Sequence, residues 1–528
     1  MKFIYKAIRT NMQIPCADTS RQCAPVRSRQ KKKQKKKDAA GARCVGSVVP
    51  RSHGQERDDD NWRFTLFASS LSIFGFLATI VIISLFLFLT PAEDINTLAS
   101  LDERYRSSYS ERSGGVPKSA HGTAAPATNT GKSFTSTTSG RTQPMRFVCT
   151  VGPAFAAGMP LPKDGLCTLV FFDSVYAGGN SGLGPTGLAG NVMAFLEWAT
   201  NSAGGTTQFG VSLAIDDQNL ESEAKTKRFE SGISWISRQG IAHFGFLNAY
   251  LSYSSPAHIT VALNVLKTID DYLKLRNIRT SSTVMALGVA PVYPKEFSSY
   301  VDLMKQVFKP DLFIAIGHIS YWDDGRPDCI IMPPSVYSFP PSFTAPYGHT
   351  LEDSLELLRQ VQTMPDHPAL GLSLSLHGRI YIVRHPEDQN PHNIGTFSVF
   401  NQCNVSEIVA PTEICNSQSP RGLKFNYVYN KLLYVAQSYD KASRKTSTFE
   451  SEETLIAKVC TIKETAMAMD FNIAAYDIER DSPKPVCNAL TLKGSYARLS
   501  VLKKLNRFVA VNYKTATHKT ECFTYAKS

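Results

Sequence analysis

From Phe64 to Thr90 the chain runs for 27 residues without a charged side chain, FTLFASSLSIFGFLATIVIISLFLFLT. About 20 apolar residues in a helix suffice to cross the hydrocarbon of a bilayer, so the run predicts one transmembrane helix over 64–90. A cleaved signal peptide has an apolar core of roughly 7 to 15 residues near the start of a chain, whereas this run is longer and follows 63 residues of other sequence. The helix divides the chain into two parts that see different solvents.

The charges on its flanks set the orientation. Arg51, Arg57 and Arg63 precede the run, with KKKQKKK at 31–37 further back, while Glu93 and Asp94 follow it. Lys and Arg stay on the cytoplasmic side and acidic residues count for little, which predicts a type II single-pass protein of the plasma membrane with its C-terminal part outside. Residues 1–63 carry 16 Lys/Arg against 6 Asp/Glu, which is most of the net charge of +12. The remainder is nearly neutral, so basicity is no argument for nucleic-acid binding by the folded part. The tail is read as disordered, with anionic lipid as its expected contact. Residues 91–144 are read as an extracellular stalk: 15 of the 38 residues in 107–144 are Ser or Thr, a composition that cannot bury enough apolar surface to fold.

Of 11 cysteines, Cys16, Cys23 and Cys44 fall on the reducing side of the predicted membrane, leaving eight on the oxidising side. No zinc-ligand spacing is present, and no metal or cofactor is expected. Asn404-Val-Ser406 is an N-glycosylation sequon.

In residues 145–528 β-rich runs alternate with amphipathic stretches, the pattern of a parallel sheet wrapped by helices. Eight runs are read as strands, beginning at Arg146, Leu166, Phe209, Ala242, Val284, Leu312, Leu370 and Met469. Residues 219–237 and 300–308 are read as helices. Eight such units predict an α/β fold, a (β/α)8 TIM barrel, with a small α+β insertion at about 380–455 between strands 7 and 8.

Several segments then resemble glycoside hydrolase family 18, the chitinases. VCTVGPAF at 148–155 and DGLCTLVFF at 164–172 look like the family's first two strands. ISRQGIAHFGFLNAY at 236–250 looks like the approach to its fourth, LSLHGR at 374–379 like its seventh, EICN at 413–416 like part of its inserted domain, and AKVCTIKETAMAMDFNIAAYDIERD like its closing helix and eighth strand. The resemblance implies disulfides Cys149–Cys167 and Cys415–Cys487. The partners of Cys329, Cys403, Cys460 and Cys522 are left unassigned.

Members of the family hydrolyse through an Asp-x-x-Asp-x-Asp-x-Glu pattern on the fourth strand, whose Glu is the general acid. Those positions fall here on Ala242, Gly245, Leu247 and Ala249, and no Asp or Glu lies between Glu230 and Asp270. Losing a general acid forfeits about 10²- to 10⁴-fold in rate. The family's Met-x-Tyr-Asp on the sixth strand falls on Gly317, Ile319 and Ser320, and its eighth-strand Trp on Tyr476. The resemblance therefore implies a catalytically degenerate, membrane-anchored barrel, with no catalytic residues, that binds a chitin-type or amino-sugar glycan or another partner. Tyr476, Asp477, Trp322, Tyr321 and Arg379 are expected in the sugar cleft.

Two other readings stay open: a glycosidase using relocated carboxylates, Asp477, Glu479 and Asp216, or a receptor ectodomain that binds protein and no sugar. Asp173, Asp217 and Asp323 also stand at or beyond strand ends, where helix capping is the alternative role. GLGPTG at 182–187 begins too far from a strand tip to serve as a dinucleotide loop. His243 and His318 are read as structural.

Overall fold

The computed structural model describes residues 146–175, 183–184, 188–215, 219–319, 329–340, 343, 348–384, 394–415, 427–481, 495–511, 513 and 518–527. Residues 1–145, Asp216, Asp217, Tyr321, Trp322, Asp323 and Cys487 lie outside them. Among the described residues no helix is long and apolar enough to cross a membrane.

The first strands are β1 (Val148–Val151) and β2 (Leu169–Val175), followed by helix α1 (Gly190–Asn201) and β3 (Gln208–Leu213). Residues 219–237, expected as one helix, form two, α2 (Leu220–Ala224) and α3 (Lys227–Arg238). The break has a local cause: Thr226 is extended, and its hydroxyl accepts from Phe229 N at 3.2 Å to start a new helix. Phe229, Ile233 and Ile236 then recur at helical spacing on the buried face of α3.

Next come β4 (Ile241–Ala249), α4 (Pro256–Leu275), β5 (Met285–Val289), α5 (Phe297–Gln306), β6 (Leu312–Ala315), α6 (Leu351–Gln362) and β7 (Ala369–Ser375). An insertion follows, with β8 (Gly378–Val383), β9 (Cys403–Val409), α7 (Pro411–Cys415), β10 (Tyr427–Asn430), β11 (Val435–Asp440) and β12 (Lys445–Phe449). Helix α8 (Glu452–Thr465) leads to the last barrel strand, β13 (Asn472–Tyr476), and α9 (Ala497–Val511) and α10 (His518–Lys527) complete the described chain.

The eight expected strands close into a parallel barrel in the order β1-β13-β7-β6-β5-β4-β3-β2. Two apolar layers hold it. Phe171, Leu247, Leu312, Ile314 and Tyr476 belong to a cluster inside the barrel, and a larger cluster packs the outer faces of the strands against the helices. Both faces of the strands are buried, which is why they read as near-continuous apolar runs.

The insertion is a five-stranded antiparallel sheet in the order β10-β11-β12-β8-β9, built on Ile380, Val409, Ile414, Ala436 and Phe449. The Tyr381 hydroxyl and the Thr448 hydroxyl both donate to Met332 O, at 2.7 and 2.6 Å, and join it to the segment after β6. At its end, fully buried Lys458 of α8 donates to Glu450 Oε1 at 2.5 Å and Ser335 O at 2.8 Å. The same Glu450 accepts from the Ser335 and Thr454 hydroxyls, each at 2.6 Å.

Disulfides join Cys149 to Cys167, Cys329 to Cys403, and Cys460 to Cys522. Cys415 is also disulfide-bonded.

Candidate functional site at the barrel mouth

The C-terminal ends of the barrel strands carry a layer of polar side chains, most of them withdrawn from solvent. Asp173 closes in from β2, Asn248 from β4, His318 from beyond β6, Ser373 and Ser375 from β7, His377 from just after it, and Asp477 from the end of β13. Backbone irregularity aims two of them. Between Phe246 and Ala249, β4 has one residue more than β5 opposite it. At this bulge Leu247 presses on Gly288, where an added β-carbon would lie 2.8 Å from Leu247 O. Leu247 stays in the barrel interior and Ala249 joins the outer layer, so the last inward side chain of β4 is Asn248, whose amide donates to Asp173 Oδ2. Asp477 is left-handed, with φ 59° and ψ 46°, a conformation Asp tolerates better than most residues.

Asp477 anchors the network. Its Oδ2 accepts from the Ser375 hydroxyl at 2.5 Å and lies 2.9 Å from His377 Nδ1. Burial opposes its charge, but the His377 bond, the two neighbouring histidines and Ser375 outweigh it and hold the carboxyl well below the usual range. Burial keeps His377 neutral and lowers His318 to about 3. A neutral His377 beside an ionised Asp477 carries its proton on Nδ1 and donates it to Oδ2, leaving Nε2 as a lone pair. That Nε2 is buried and has no hydrogen-bond partner.

The other two carboxyls are pushed the opposite way. Desolvation raises Asp173 to about 6 against the bonds from Ser174 and Ser212, and the Asp477 charge adds to the rise. Desolvation and then the Asp477 charge raise Glu479 to about 8. Glu479 Oε1 accepts from Gly152 N at 3.0 Å, while its Oε2 is shielded from solvent and has no partner. A β-carbon placed on Gly152 would lie 3.0 Å from Glu479 Oε1 and 3.2 Å from Asp477 Oδ1, so these oxygens are no more than about 6 Å apart. Paired carboxyls that act on glycosides stand about 5 to 9 Å apart.

Beneath this layer Tyr476 crosses the barrel. Its hydroxyl donates to Leu247 O on β4 at 2.9 Å, and β13 and β4 stand on opposite sides of the strand order. The side chain is 1 % exposed, with the His318 ring 4.5 Å away. It is packed as a core aromatic, without the open face that a sugar-stacking platform requires.

Of the expected cleft residues, Tyr476 and Asp477 come together. Arg379, on β8 of the insertion, is buried, and its charge acts on His318 and His377. Of the family's acid positions, Ala242 is exposed near the start of β4 and the other three are buried along it, none with a proton to move. Of the sixth-strand positions, Gly317 and Ile319 fall beyond β6, which ends at Ala315, and Ser320 lies outside the described residues. The apolar continuation of β6 leaves the sheet because Gly317 N donates to the Ser373 hydroxyl, at 2.9 Å.

Glu479, one of the relocated carboxylates named from the sequence, follows β13, and its desolvation favours the acid form. His243 is structural, its Nδ1 accepting from Val284 N at 3.0 Å. His318 binds the Ser373 hydroxyl at 2.7 Å but also belongs to the mouth cluster. His377 and Ser375 were missed; the signal was a histidine directly after the alternating SLSL of β7. Among the described residues no group of three His, Cys, Asp or Glu is arranged to hold a metal ion.

No family model matches the sequence, and no curated protein does. Similar solved structures include a chitinase-like agglutinin from Robinia pseudoacacia, at 13 % identity and TM-score 0.45, covering 67 % of this chain and 98 % of the other. A family 18 chitinase from Cycas revoluta, solved in complex with (GlcNAc)3, has 13 % identity and TM-score 0.44 over 69 % of this chain and 99 % of its own. A group IV chitinase from Ostrinia furnacalis has 11 % identity and TM-score 0.46 over 69 % and 100 %. The strand order of this chain establishes the barrel independently of them, and the roles of its residues rest on its own geometry.

Proposed function

We propose that the barrel is a cell-surface carbohydrate-binding domain that does not cleave glycosidic bonds, presented outside the plasma membrane by a helix at 64–90 and a stalk at 91–144. One observation carries the absence of cleavage: the inward end of β4 bears Asn248, an amide already bonded to Asp173. A general acid must lose a proton to the leaving oxygen, and an amide at that place is far too weak an acid to do so. What remains is a ring of buried hydroxyl, amide, imidazole and carboxyl groups at the end of the barrel where such folds bind their ligands. An amino-sugar oligomer, rich in hydroxyl and amide groups, is the ligand class this chemistry suits.

The test is calorimetry of the full-length chain in detergent micelles with N-acetylglucosamine oligomers, with an assay for new reducing ends on the same samples. Binding heat without reducing ends is expected. The absence of heat with every oligomer would move the reading to a protein-binding ectodomain.

A second reading has its own observation. Asp477, held ionised, and Glu479, held protonated, are within about 6 Å of each other, which is the division of labour of a hydrolytic pair. Turnover by the wild type that Asp477→Asn abolishes would establish this reading in place of the first.

A further inference from the structure

Two polar atoms at the mouth are sealed from water without a hydrogen-bond partner, Glu479 Oε2 and His377 Nε2. Each is buried at a desolvation cost unless something satisfies it. Their hydrogen-bonding sense follows from what their other atoms do. Glu479 Oε1 already accepts from Gly152 N, so a proton on this carboxyl sits on Oε2 and makes it a donor. His377 gives its Nδ1 proton to Asp477, so Nε2 is an acceptor. His377 is 1 % exposed, so its ring nitrogen gains a partner only from a molecule that enters the mouth.

We propose that Glu479 acts in its acid form as a hydrogen-bond donor to the bound ligand while Nε2 of His377 serves as an acceptor, so that the mouth selects a neutral ligand presenting an acceptor and a donor. This rests on the carbohydrate-binding reading and adds the residue that sets its pH range.

The charges around Glu479 favour the acid form. Asp477 faces it from the same turn, and its charge also reaches Asp173 on β2. His377 and His318, from the ends of β7 and β6, are neutral and offer no cation in exchange. Arg480 adjoins it and favours the charged form, but Arg480 is paired with Glu413 of α7 at 3.6 Å. Arg379, on β8, acts on the two histidines and is not among the charges that shift Glu479. With Glu479 at about 8, the donor is present at neutral pH and is lost as the pH rises through that value.

The experiment measures affinity of the full-length chain in detergent micelles for an N-acetylglucosamine oligomer, from about pH 7, above the Asp173 titration, to about 9.5. Wild-type affinity should be flat to about pH 7.5 and then fall towards about tenfold per pH unit, following the fraction of acid form. Glu479→Gln supplies an amide donor at every pH, so it should bind within about threefold of wild type at neutral pH and stay flat. Glu479→Ala should lose about tenfold throughout. Wild-type affinity that stays constant over the range would overturn the proposal, as would a Glu479→Gln protein whose affinity declines in parallel with wild type. Failure of every protein to bind at any pH would remove the carbohydrate reading and the donor with it, an outcome distinct from the other two.

Discussion

Asp173 keeps its proton to about 6 in the folded protein but has an ordinary value of 3.8 once the chain unfolds. Between those values the native state binds more protons than the unfolded state. The stability this group contributes is therefore complete below 3.8 and is lost as the pH rises through 6. A gap of about two pH units between the folded and unfolded carboxyl is worth at most about 3 kcal/mol. Asp173→Asn is neutral throughout, so its stability relative to wild type should climb by up to about 3 kcal/mol between about pH 4 and about pH 6.5 in urea unfolding. A flat difference would mean that Asp173 is ionised in the native protein. The opposite sign belongs to Asp477, whose depressed carboxyl contributes stability that is lost as the pH falls. Tyr476 shows the limit of reading single residues. Its flat ring was compatible with a sugar platform or a core position, and only the bond to Leu247 across the barrel decides for the core.

At the level of elements, the eight strands were legible because a parallel sheet buried on both faces writes itself as apolar runs bounded by turns. What escaped were features decided by partners distant in sequence. The bulge in β4 exists only relative to β5, so the residue facing inward there could not be counted off from the strand start. The end of β6 depends on a hydroxyl from β7, and the split between α2 and α3 on one capping threonine. The pairings of Cys329 with Cys403 and of Cys460 with Cys522 carry no local signature at all. The second of these clips α10 to α8 across a separation of 62 residues. Removing it by replacing both cysteines with serine should cost about 4 kcal/mol by loop-closure entropy, read as a lower urea midpoint. Proteolysis that cuts first near α10 is the accompanying expectation. An unchanged midpoint would show that packing of α9 against α10 suffices alone.

For the molecule as a whole, the membrane reading rests on sequence, and topology can be tested through the described part. Asn404 is exposed on β9, at the edge of the insertion sheet, next to the disulfide-bonded Cys403. If the barrel faces the outside, glycosidase treatment of protein from a secretory host should remove one glycan's mass, and Asn404→Gln should abolish the shift. Protease added to intact cells should leave only the basic tail and helix. A protected barrel would reverse the orientation. The barrel was thus readable from the period of its apolar runs, whereas the site was read chiefly for what β4 lacks. The places of His377, Ser375 and Asn248 in it, and the raised carboxyl of Glu479, arise from burial and neighbours that no linear pattern encodes.

The salt link of Lys458 with Glu450 also bears on how such a protein can change over generations. The ammonium belongs to a barrel helix, whereas its counter-ion and the Ser335 carbonyl come from the seam with the inserted sheet. Exchanging that sheet through a junction placed after Glu450 would strand a cation in a dry interior, a defect of several kcal/mol. Recombination can therefore trade the sheet for another only through a junction that falls before Glu450 or that restores an acid at the same place.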